Sequence, residues 1–135
     1  MRFCHGFSLL ELMLVLAISA ILAVISYPVY ISHEVHAQRN RAEIALMQLA
    51  SKMEVYFSEN GTYATATIEN LHADHLVDDL EYTLAISSET DTHYEIQAIP
   101  IDAQANRDMA CETLSLTDTN IRSISGNGDT KQCWL

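Results

Sequence analysis

The chain begins with an apolar run that no charge interrupts. From Leu12 to Ile31 it reads LMLVLAISAILAVISYPVYI, about 20 residues, and at about 1.5 Å per residue that length matches a hydrocarbon core of about 30 Å. Beyond it the pattern turns amphipathic without a break. Ala42, Leu46, Leu49, Met53 and Tyr56 recur at spacings of three and four, with Ala45 and Phe57 alongside, whereas Arg39, Arg41, Glu43, Lys52, Glu54 and Glu59 fall mostly on the opposite side. One helix from about Ser8 to Glu59 accounts for both halves. It would be about 75 to 80 Å long, more than any bilayer is thick, so its second half must pack on something outside. Asn60-Gly61 supplies a left-handed stop. Pro28 removes a backbone hydrogen bond and predicts a kink or local loosening just before the extramembrane half.

After Gly61 the period changes to two. The stretches 80–86 and 93–99 alternate between apolar and polar residues, each bounded by turn residues, and 113–117 and 121–124 are two shorter candidates. These four strands read as an antiparallel meander with one apolar face, which the helix face at Leu46, Leu49 and Met53 is suited to cover. Pro100 ends the second strand, and Asp102 to Asp108 is expected to be a loop. The fold class is therefore α+β: a long amino-terminal helix packed on a four-stranded antiparallel sheet.

Charge changes the picture for the distal part. Residues 61–135 hold 13 Asp and Glu against Arg107, Arg122 and Lys131, so about ten of the eleven net negative charges lie there. Phosphate backbones call for clustered cations, so no direct nucleic-acid binding is expected of this subunit. The plain reading of the surplus is solubility and repulsion between neighbours. A membrane segment near the amino terminus would deliver Cys111 and Cys133 to an oxidising compartment, where a bridge between them would close a loop of about 22 residues and add about 3 kcal/mol of stability in the chain-entropy model. A zinc site is the weaker alternative, since no second pair of ligands stands at a suitable spacing.

The opening residues raise a separate question. Glu11 lies near the start of the apolar segment, and an ionisable side chain within a membrane costs roughly 2.5 to 3.5 kcal/mol by insertion scales unless something offsets it. A secretory signal would use Arg2 and the small residues near Ala17, but Glu11 falls inside its apolar region and the helical pattern runs past any cleavage point. A plain signal anchor explains the length and Arg2, and leaves Glu11 unexplained.

A short leader ending in Gly6, then Phe7, then Glu11 as the fifth residue after that glycine, then the apolar run, resembles the class III signal of type IV prepilins. Pro28, flanked by Tyr27 and Tyr30, falls where these pilins carry a helix-kinking proline, and the carboxy-terminal cysteine pair is similar to the family's disulfide-bounded loop. The ending Cys133-Trp134 and the stretch from Tyr94 to Cys111 look most like the small minor pilins. The resemblance implies four segments: a leader, 1–6; a membrane and filament-core half-helix, 7–31; an amphipathic half-helix, 32–60; and a globular head, 61–135. It implies cleavage between Gly6 and Phe7 by a membrane aspartyl peptidase, methylation of the new Phe7 amine, and loss of Cys4 with the leader. Glu11 then gains a role, since its carboxylate would neutralise the Phe7 amine of a neighbouring subunit. The alternative is a carboxyl kept neutral, or one that snorkels to the headgroups.

The resemblance further implies a structural subunit rather than an enzyme, a minor pilin polymerised into or priming a type IV pilus that supports adhesion, twitching motility or DNA uptake. Its partners would be other pilins, the prepilin peptidase and methyltransferase, and the inner-membrane assembly platform. Its locations would be the inner membrane, with the head in the periplasm, and then the cell-surface pilus. Two alternatives stand beside this: a pseudopilin of a type II secretion system, and a membrane-anchored periplasmic receptor or enzyme that never polymerises. Weaker motifs are assigned plain roles. Asn60-Gly61-Thr62 fits a glycosylation pattern but reads as a helix cap. Gly126 to Asp129 reads as a turn rather than a calcium loop. His72 and His75, near Asp74 and Asp78, read as solvated residues, and neither a metal nor a cofactor is expected. No catalytic constellation of serine or histidine is recognisable.

Overall fold

The computed structural model describes residues 7–134. A single helix, α1, runs over Leu9–Asn60, and contacts divide the chain into two units between Glu34 and Val35. In the first unit the helix is apolar and long enough to cross a membrane, with none of its most apolar window buried. The helix continues across Pro28. The Ser26 hydroxyl donates to the Leu22 carbonyl at 2.7 Å, so its polar end is satisfied within an apolar stretch.

In the second unit α1 carries the stripe expected of it. Ala42, Leu46, Leu49 and Met53 are fully enclosed, and each large apolar side chain so buried stabilises the fold by roughly 1.5–3 kcal/mol. The stripe extends further back than the apolar residues do. Val35, Arg39, Ala42, Leu46, Leu49 and Met53 form one series with spacings of four and three, and all six are buried. Arg39 and Glu43, expected on the polar side of the helix, are therefore interior. The helix ends where Gly61 takes a φ of +74° and donates its N–H to the Phe57 carbonyl at 2.7 Å, the left-handed stop read from Asn60-Gly61.

Four strands follow: β1 (Tyr82–Glu89), β2 (Tyr94–Pro100), β3 (Leu114–Thr117) and β4 (Arg122–Ile124). They form one sheet in the order β1-β2-β3-β4, every pair antiparallel. Register sets the covered face. Ile86 opposes Ile96, Ile96 opposes Leu116, and Leu114 opposes Ile124, so apolar pairs cross the sheet and meet Leu46, Leu49 and Met53 in one core. A bulge between Ile86 and Ser88 shifts the pairing of the last residues of β1.

Three short helical turns complete the head: a 3-10 turn η1 (Asp74–Val77), α2 (Asp102–Arg107) and α3 (Thr130–Cys133). The segment from Asp102 to Asp108, expected to be a loop, is thus mostly helix. Six residues, DAQANR, bury only Gln104, which leaves no apolar periodicity to read. Helix α3 starts at Asp129, whose side chain accepts from the Lys131 N–H, so the Gly126–Asp129 turn ends in a helix cap.

Candidate functional site

The amino-terminal segment is the first site. Phe7 and Ser8 lead into α1, and Glu11 lies in its first turn, where a carboxylate complements the positive end of the helix dipole. Phe7, Leu9, Leu10, Leu12, Met13 and their apolar successors through Tyr30 are exposed, Phe7 to 78%. A helix apolar on all sides and bare in the lone chain needs lipid or other helices around it. Gly6, the expected cleavage residue, lies outside the described residues. Among the described residues no salt bridge reaches Glu11.

The second site locks the helix to the head. Arg39 grips Asp108 with both arms of its guanidinium, Nη2 to Oδ1 at 2.7 Å and Nε to Oδ2 at 2.8 Å, and the two side chains are 7% and 2% exposed. Gln104 Nε2 lies 3.1 Å from the same carboxylate, 3.0 Å from the Tyr82 hydroxyl and 3.2 Å from the Val35 carbonyl. Burial pushes the Tyr82 hydroxyl up to about 12, with Asp108 adding to the rise and Gln104 and Arg39 opposing it. A bidentate, hydrogen-bonded pair of this kind can hold its charges away from water. Reading the residues missed it, although the signal was present: continued backward, the stripe reaches Arg39, and a charge in a buried row calls for a partner.

The third site is the carboxy-terminal loop. Cys111 and Cys133 are joined, with Cα atoms 5.6 Å apart and a separation of 22 residues, so both thiols are used and the zinc alternative falls. Gly126 and Gly128 press on the turn that holds Ala110 and Cys111. The Gly128 N–H donates to the Ala110 carbonyl at 2.7 Å and the Gly126 N–H to the Cys111 carbonyl at 3.2 Å, and a Cβ on either glycine would run into Ala110. Gly126→Ala should therefore destabilise the head by about 1–3 kcal/mol, the range for forced overpacking, seen as a lower urea midpoint. Trp134 closes the loop, donating from its indole N–H to the Ser123 carbonyl at 3.0 Å, with the Arg122 guanidinium 5.3 Å from its ring centre.

A fourth cluster lies farther along α1. Glu54 accepts from the Tyr63 hydroxyl at 3.0 Å and the Tyr94 hydroxyl at 3.3 Å; the Phe57 ring stacks on Tyr63, and Tyr63 meets Tyr94 edge to face. Burial, then Glu54, pushes Tyr63 up to about 12, and the same causes raise Tyr94 further. His93 pairs with Asp118 at 2.9 Å, and that hydrogen bond holds the Asp118 carboxyl below its usual range. Because the folded state holds the tyrosine protons more tightly, this stability is present below about pH 10 and is lost as pH rises toward about 12. An alkaline titration followed by urea unfolding should show the loss over that window, with Tyr82→Phe flattening part of it.

Stretches of the chain, and its fold, are similar to known proteins. The amino-terminal 27 residues match the prokaryotic N-terminal methylation motif. Residues 28–115 match the family described as type IV minor pilin ComP, DNA uptake sequence receptor. The type IV major pilin protein PilA of Myxococcus xanthus (strain DK1622) is 37% identical over 60 residues, 44% of this chain and 27% of that protein. The chain thus aligns with about a quarter of that relative's length. Among solved structures, the non-core minor pilin PilV of Neisseria meningitidis superposes with a TM-score of 0.57 at 23% identity, covering 70% of this chain and 90% of that one, a likeness of fold.

Proposed function

Because this chain belongs to the type IV minor pilin ComP family, we propose that it is made as a single-pass precursor in the bacterial inner membrane, head in the periplasm, and then built into a cell-surface pilus. It is a minor type IV pilin, a subunit that assembles with other pilins. On the route to the fibre, a prepilin peptidase cuts between Gly6 and Phe7, a methyltransferase modifies the Phe7 amine, and the assembly platform takes up the mature subunit. Residues 1–6 are the leader, 7–31 the membrane and fibre-core half of the helix, 32–60 its amphipathic half, and 61–135 the head. Pro28, inside the first of these halves, kinks or loosens the helix there.

The observation that carries this reading is the bare apolar helix headed by Phe7 and Glu11. A membrane anchor alone needs the length but not the carboxylate. A packed bundle of such helices uses both, because the Phe7 amine of one subunit answers the Glu11 carboxylate of the next.

The family's description names a DNA uptake sequence receptor, which runs against the expectation of no direct nucleic-acid contact. We assign DNA uptake to the fibre as a whole. With 13 carboxylates and three cations in residues 61–135, this head lacks the cluster of positive charge that phosphates require. Deleting the gene and scoring surface fibres, DNA uptake and protein secretion separately tests the assignment. Fewer fibres with less DNA uptake and normal secretion is the expected result; lost secretion with intact fibres would assign the chain to a secretion system instead.

A further inference from the structure

The two edges of the sheet differ. β4, at one of them, is three residues long and includes Arg122. β1, at the other, is eight residues long and reads YTLAISSE, without the Lys or Pro that commonly keeps an edge from pairing. Its register shows which backbone groups it turns outward. Pro100, which has no N–H, stands opposite Tyr82, and the Ile101 N–H donates to the Glu81 carbonyl at 2.9 Å. On the far side of β2, the Asp118 N–H donates to the Tyr94 carbonyl at 3.2 Å. Bonding in an antiparallel ladder alternates residue by residue, so the even-numbered residues of β2 bond toward β3 and the odd-numbered ones toward β1. Ile99 and Gln97 oppose Thr83 and Ala85. Thr83 and Ala85 therefore bond to β2, whereas Tyr82, Leu84 and Ile86 aim their N–H and C=O groups away from the sheet.

Among the described residues, no hydrogen bond from outside the sheet reaches the backbone of Leu84 or Ile86. The outward row spans about 14 Å from Tyr82 to Ile86 at the usual rise, and Thr83 and Ser87 beside it are exposed. Donors and acceptors at this repeat match another backbone in the extended conformation. The geometry points to β-augmentation, in which an extended segment of a partner protein adds to β1 as a fifth strand. Charge narrows the partner. Residues 79–92 carry Asp79, Glu81, Glu89 and Asp91 with no Lys or Arg, so both ends of the row are acidic. Arg41 shares a groove with Asp79, which leaves the exposed Glu89 and Asp91 end the more acidic. Two copies of β1 laid antiparallel would bring the acidic end of each against that of the other, and like charges across a strand pair are destabilising. A segment with β-branched residues and with Lys or Arg at its ends fits instead. The bulge between Ile86 and Ser88 interrupts the row, so the site takes about five residues. The contact uses no residue of the apolar half-helix, so it stands apart from the pilin reading.

The test follows amide hydrogen exchange by NMR in the full chain, purified in detergent, with the synthetic probe Lys-Lys-Thr-Val-Thr-Val-Thr-Val-Lys-Lys. Without the probe, the Leu84 and Ile86 amides should exchange about tenfold faster than those of Thr83 and Ala85. With it they should slow about tenfold, while Thr83 and Ala85 stay as they were. Leu84→Pro removes an outward N–H and leaves the bonds of β1 to β2 in place. It should weaken the probe about fivefold relative to Leu84→Ala, which accounts for lost packing. Glutamate in place of the probe's lysines should weaken it about tenfold. Slow Leu84 and Ile86 amides at every protein concentration without the probe overturn the site, because the chain then covers its own edge. So does a probe that leaves both amides unprotected, or one that binds Leu84→Pro as tightly as Leu84→Ala. Protection that grows with protein concentration alone assigns the edge to a second copy, and equal binding of the glutamate-ended probe removes the basic partner; either result overturns the proposal. The exchange pattern of the unsubstituted chain decides the matter even if Leu84→Pro fails to fold.

Discussion

Replacing Glu11 with Ala should leave the amount of chain in the membrane unchanged and cut its incorporation into fibres by about 100-fold or more. Two unit charges about 4 Å apart attract by several kcal/mol at an effective dielectric near 20, and each 1.4 kcal/mol is about a factor of ten in an equilibrium. Both charges are costly in an apolar bundle, and each offsets the other only when subunits dock in register. The precursor has no free Phe7 amine, so an uncut subunit cannot make the pair. Membrane insertion should be no worse, because the substitution removes a charge from the span. The structure is consistent with this division of labour: the first unit buries none of its apolar window within the chain, and Glu11 lies at its head. If Glu11 were instead neutral or snorkelling, Ala would serve as well. Immunoblotting of sheared fibres against membranes decides between them.

The second large effect belongs to Arg39. Arg39→Ala should destabilise the head by about 3–5 kcal/mol, because it leaves the Asp108 carboxylate buried at 2% exposure with its main partner gone. Against a total stability of roughly 5–15 kcal/mol, that loss threatens folding. Replacing both residues together by apolar side chains, Arg39→Met with Asp108→Leu, should cost much less, since no charge is then stranded. Trp134 is the only tryptophan and is buried beside the disulfide, so its fluorescence reports unfolding of the head in urea. A single substitution that matches the double one would mean that the pair contributes little beyond its packing.

The large features of the fold were legible because each rests on a local rule. The switch from a period near 3.6 to a period of two divides α1 from the sheet. Asn60-Gly61 marks the end of the helix through the positive φ at Gly61, and the opening residues fall in the stretch that matches the N-terminal methylation motif. What stayed hidden depends on contacts between distant residues. Arg39 reads as a surface charge until Asp108 is known to lie across from it, 69 residues along the chain. Asp108 in turn is delivered by α2, whose six residues carry no apolar pattern and whose first residue takes a φ of +49°.

The central claim, that this chain is cut and polymerised as a pilin, is tested most directly by the mass of the protein recovered from sheared surface fibres. The account predicts a chain that begins at Phe7, carries one methyl group on its amine and retains the Cys111–Cys133 bridge. A chain absent from the fibres, or found only in the membrane with residues 1–6 intact and Phe7 unmodified, would contradict it.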